Sequence, residues 1–113
     1  MKYALLLYDN PAAWESVDDD QMRSLHDEYM AVAGEPENYG GAQLKPGDTA
    51  KTVRISNGSQ VVTDGPFTET KEVLSGFYLI DAETEERALE LAARIPTVSR
   101  MGGVIELRPI VER

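Results

Sequence analysis

The chain has 113 residues, no cysteine and a formal net charge of −9. That length fits one domain with one modest core. The missing cysteines exclude disulfides, thiol catalysis and cysteine-ligated zinc. The acidic balance excludes nucleic acid and anionic membrane as natural partners, since both are polyanions.

Lys2 to Tyr8 reads as the first strand, with Tyr3, Leu5 and Leu7 on one face and Ala4, Leu6 and Tyr8 on the other. Both faces are apolar, so both need a cover. Helices of a small domain supply one, and a partner subunit is the simplest source of the other, which points to a homodimer. The run is too short for a signal segment, and no run approaches the ~20 apolar residues that cross a bilayer. The expectation is a soluble, cytoplasmic protein without a membrane span.

Asp9-Asn10-Pro11 breaks the strand, and Trp14 anchors the linker after it. Asp18 and Gln21 have capping-box spacing, and Asp19 and Asp20 suit the positive end of the helix dipole. Met22, Leu25, His26, Tyr29, Val32 and Ala33 form one helical stripe that stops at Gly34. Glu37 to Gly41 reads as a loop and Gln43 to Lys45 as a short strand. Lys51 to Ser56 alternates, Asn57-Gly58 is a hairpin turn, and Gln60 to Thr63 returns antiparallel. Asp64-Gly65-Pro66 turns into a charged loop, Thr68 to Glu72, and Leu74 to Ile80 is strand again. Gly76 inside it marks a bulge or a close backbone approach. Ala88, Leu91, Ala92 and Ile95 make the buried stripe of a second helix, closed by Pro96. Pro96 to Gly103 is irregular, and Val104 to Val111 is the last strand. The order reads βαββαβ, a ferredoxin-like α+β domain with an antiparallel sheet.

The string DGPFTETKE at positions 64–72, followed by a hydrophobic strand, closely resembles the signature of the DGPF proteins, a branch of the YCII-related superfamily. MKYALLLYDN at the start, GGAQLKP at 40–46 and GVIELRPIVE near the end agree with it. The resemblance spans nearly the whole chain and implies a ferredoxin-like fold paired as a dimeric α+β barrel. It implies little chemistry, since no activity is generally established for the DGPF branch. Such proteins are often encoded beside sigma-factor-type regulators, so the resemblance also allows an accessory or regulatory role. In the wider superfamily a histidine near the first helix pairs with the aspartate of an Asp-Pro step after the second. Here that step reads Ile95-Pro96, so the pair is not carried over.

Candidate chemistry rests on polar residues of strands and loops. Thr52, Arg54, Gln60, Glu106 and Arg108 are expected to share one side of the sheet, where charges either pair with each other or bind something. Glu106 with Arg108 reads as a cross-strand ion pair or as the lining of a ligand cavity. Asp64 reads as turn chemistry or as an acid or base at a cavity mouth. Glu69, Lys71 and Glu72 read as a local ion-pair network or as contacts to a polar substrate. His26, the single histidine, reads as a half-buried side chain or as a catalyst partnered by Asp64 or Glu106. Tyr8 and Tyr78 are the tyrosines best placed to offer a phenol to a site. The catalytic candidates are therefore His26, Asp64 and Glu72. Arg54, Glu69, Lys71, Tyr78, Glu106 and Arg108 are the substrate-binding candidates. No nucleotide, calcium or hydrolase motif is present, so no cofactor or metal is expected. Two functions remain open: a small polar metabolite bound between sheet and helices, with cofactor-independent acid–base chemistry, or a non-catalytic accessory protein.

Overall fold

A computed structural model describes residues 1–68 and 70–113. Four strands build the main sheet: β1 (Lys2–Asp9), β2 (Asn38–Gln43), β5 (Val73–Asp81) and β6 (Val104–Pro109), in the order β2-β5-β1-β6. All three pairings are antiparallel. Helices α1 (Pro11–Trp14), α2 (Asp19–Ala33), α3 (Glu85–Arg94) and α4 (Pro96–Ser99) complete the main domain. This is the ferredoxin-like α+β arrangement expected from the sequence.

The core follows from β1. Tyr3, Leu5 and Leu7 are buried and meet Ile80, Val32, Ala88, Leu91 and Ile95. Their cross-strand neighbours Tyr78, Leu107 and Ile105 share that inner face. Helix α2 starts at the capping box of Asp18 and Gln21: the Asp18 carboxylate accepts from the Gln21 backbone N–H at 2.8 Å, and the Gln21 side chain accepts from the Asp18 N–H at 3.0 Å. Helix α3 is capped by Thr84, which accepts from the Arg87 N–H. The outer sheet face carries Ala4, Leu6 and Tyr8 beside Leu79 and Phe77, all half-buried.

Three expectations change. The span Glu37 to Gly41 is not a loop: β2 begins at Asn38 and runs along β5 to Gln43. The residues read as irregular after Pro96 include one short helical turn, with proline at its first position. The largest change concerns the hairpin. Among the described residues, strands β3 (Lys51–Ser56) and β4 (Ser59–Asp64) pair only with each other, as a separate two-stranded sheet. Thr52, Arg54 and Gln60 therefore do not share a sheet face with Glu106 and Arg108. The hairpin is an excursion between the second and third strands of the main sheet. Its tight turn uses positive φ at Asn57 and Gly58, as the Asn-Gly pair predicts. It leaves large apolar residues in the open, with Ile55 71% and Val53 60% exposed. The whole chain measures 46 × 43 × 18 Å, with a radius of gyration of 15.9 Å.

Strand β2 lies close to β5 because of two glycines. A side chain on Gly76 would place Cβ 2.8 Å from the Ala42 carbonyl oxygen. Gly41 has φ of +141°, and a Cβ there would collide with the Phe77 carbonyl. We expect Gly41→Ala to cost about 2–4 kcal/mol in urea unfolding, from strain and collision together. Gly58→Ala, in open space, should cost only about 1 kcal/mol. Equal losses would contradict a tightly apposed β2.

Candidate functional site

The alternation that buries Tyr3, Leu5 and Leu7 continues to Asp9, which is only 9% exposed. Two elements bring donors to its carboxylate. Asn10 caps α1 by accepting from the Ala12 N–H at 3.1 Å, and Pro11 fits the first turn. This short turn delivers Trp14, whose indole Nε1 donates to Asp9 Oδ1 at 3.3 Å. On the other side β5 carries a bulge. Leu7 lies opposite Gly76, but Tyr8 lies opposite Leu74, so Ser75 is the extra residue. The Ser75 hydroxyl donates to Asp9 Oδ2.

The aromatic layer is built around α2. Trp14 faces Tyr29 with ring centroids 6.4 Å apart and planes at 26°. The Tyr29 phenol shares a 2.8 Å hydrogen bond with Thr97, which is fully buried. The Tyr78 hydroxyl donates to the Tyr29 carbonyl at 3.0 Å. Burial pushes the Tyr29 phenol up to about 12; its bond to Thr97 works against this and the Asp9 charge adds to it. Burial likewise pushes Tyr78 up to about 12. At neutral pH both phenols are neutral hydrogen-bonding groups and neither is a base.

These groups border an open cleft of about 890 Å³ between α1, α2, β2 and the start of β5. Asp9, Trp14, Met22, His26, Tyr29 and Ser75 line it together with β2 and its exit through Pro46. The α2 stripe is thus divided. Leu25 and Val32 enter the core, while Met22 and His26 are exposed and border the cleft. Asp9 can accept a proton or hold a cation, and the aromatic walls can cover a flat apolar body.

Of the residues singled out from the sequence, His26 and Tyr78 line the cleft. The carboxylate that shares the cleft with His26 is Asp9, not Asp64 or Glu106. Asp64 pairs with Lys51 at the base of the hairpin and is exposed. Arg54 lies on the hairpin, and Lys71 and Glu72 are exposed before β5. Glu106 accepts from Arg108 at 2.6 Å, and both lie on the outer sheet face opposite Leu6 and Ala4. Glu69 lies outside the described residues. Sequence reasoning missed Asp9 and Ser75 and read Trp14 only as an anchor. The signal for Asp9 was present: it stands two residues after Leu7 in a strict two-residue alternation. Its position beside Asn10-Pro11 made it read as a strand breaker.

A smaller polar depression of about 480 Å³ lies beside α3. Arginines of α3 meet carboxylates from the segment after α2 there. Arg87 donates to Glu37 at 2.7 Å and Arg94 to Glu35 at 2.7 Å. The hydrogen bond from Arg87 holds the Glu37 carboxyl below the usual range. This network fastens the end of α2 to α3.

The tyrosines give the cleft an alkaline limit. An unfolded phenol titrates near 10, and both folded values lie above it. Their contribution to stability is therefore complete below about pH 10 and is lost as pH rises through about 12. We expect the urea midpoint to fall steeply over that window, and the fall to be shallower in Tyr29→Phe. An unchanged slope in the variant would show that Tyr29 does not carry the effect.

The YCII-related domain model matches residues 1–113. An uncharacterized protein of Rhizobium meliloti (strain 1021) is 37% identical over 114 residues, covering 97% of this chain and 92% of the relative. No helix is long and apolar enough to cross a membrane among the described residues. By its sequence along the full length, the chain belongs to the YCII-related family.

Proposed function

We propose that the chain binds a small organic molecule in the cleft between α1, α2 and β2, with the Asp9 carboxylate as the polar anchor. One observation carries this reading: a carboxylate withdrawn from solvent opens onto a cleft of about 890 Å³. That volume falls in the range of small-ligand pockets. His26 stands on the same cleft as a second titratable group, so proton transfer on the bound molecule is the chemistry this pair supports. The DGPFTETKE string at 64–72 supports placing the chain in the DGPF branch. The apolar outer sheet face, with Leu6, Phe77 and Leu79, supports pairing of two copies through that face. An accessory-protein reading draws on a different feature, the bare apolar residues Ile55 and Phe67, 71% and 78% exposed.

Trp14 is the single tryptophan, so its indole N–H resonance reports on the site without ambiguity. In a titration with amines, carboxylates, amino acids and sugars, at least one compound should move this resonance with a Kd between about 1 μM and 1 mM. Asp9→Ala should weaken that binding about tenfold or more. A panel that leaves the indole untouched would sink the small-molecule reading and leave the accessory role. For the dimer, sedimentation equilibrium should give twice the chain mass, and Leu6→Glu should return one chain. Wild-type protein at the mass of a single chain would end that part of the proposal.

A further inference from the structure

The state of the Asp9 carboxylate says what kind of molecule the cleft takes; this rests on the cleft being a small-molecule site. A carboxylate has room for about four hydrogen bonds. Asp9 receives side-chain hydrogen bonds from two groups among the described residues, Trp14 Nε1 and the Ser75 hydroxyl, and both are neutral. No Lys, Arg or His nitrogen among the described residues comes within 4.0 Å of it. His26 and Lys45 border the cleft and still do not pair with it. A buried charge without a counter-charge is a costly arrangement, and here the residue that carries it lines a cleft of about 890 Å³.

The walls match a cation as well. Trp14 and Tyr29 line the cleft with aromatic rings, the side-chain type that attracts ammonium groups and packs apolar bodies. Met22 and Met30 add flexible apolar surface. The chain carries a net −9, which raises the local concentration of small cations and lowers that of anions. We infer that the cleft selects an organic cation, an ammonium group on a flat apolar body, with the charge against Asp9 and the body against Trp14 and Tyr29.

The test uses three probes of one shape and different charge: phenethylammonium, phenethyl alcohol and phenylacetate. Each is titrated into the unaltered protein at pH 7 while Trp14 emission is followed. The expected order is ammonium first, about tenfold or more ahead of the alcohol, and phenylacetate last. In Asp9→Asn the ammonium should fall to the affinity of the alcohol. If the alcohol or phenylacetate binds as well as the ammonium, the cleft remains a ligand site and the charge inference is overturned. If no probe alters Trp14 emission, the inference and the site reading fall together. Should Asp9→Asn not fold, the order of the three probes on the unaltered protein decides alone.

Discussion

Asp9 must be satisfied where the fold has buried it, and much of the local structure answers that demand. An unpaired carboxylate inside a protein costs several kcal/mol unless hydrogen bonds replace its water. Trp14 supplies one from the α1 turn and Ser75 the other from the β5 bulge. Each of these residues is held by something further. Trp14 stacks towards Tyr29, Tyr29 bonds Thr97 of α4, and Tyr78 bonds the Tyr29 carbonyl. One sequence of contacts thus joins β1, α1, β5, α2 and α4 around the mouth of the cleft. Removing its first member would leave two donors without their acceptor.

Strand β2, which also borders the cleft, has few bulky side chains. Strand β2 reads NYGGAQ, which carries little to bury. It stays in place through its ladder with β5, and glycine at 41 and 76 permits the approach. A wall of this kind leaves space that a bulky strand would fill. The ferredoxin-like core provides the rigid frame, while the site is added to it by a bulge, a short turn and a glycine-rich edge.

The periodic parts of the fold were readable from sequence because hydrophobic alternation reports burial directly. Lys2 to Tyr8, the capped α2, the Ala88–Ile95 stripe and the Asn57-Gly58 turn all lie where their patterns put them. Strand β2 was not readable: glycines, asparagine and glutamine have low strand propensity, and pairing with β5 overrides it. The hairpin was misplaced because alternation shows that a strand forms, but not which strand it joins. The site was mostly hidden for a related reason. Charged loops drew attention to Asp64, Lys71 and Glu72, whereas the carboxylate that faces the cleft lies at the end of an apolar strand. His26 was visible because it is the single histidine, and its setting was not, since one helical stripe serves both core and cleft.

The free hairpin also changes how the molecule moves through solvent. A compact chain of this length has a radius of gyration of about 13 Å, against 15.9 Å here. A slab 18 Å thick and more than twice as wide meets more friction than a sphere of equal mass. It diffuses more slowly and tumbles at different rates about its different axes. A column that sorts by hydrodynamic radius will therefore pass a single copy ahead of its mass, so only a measurement of mass itself can count the subunits.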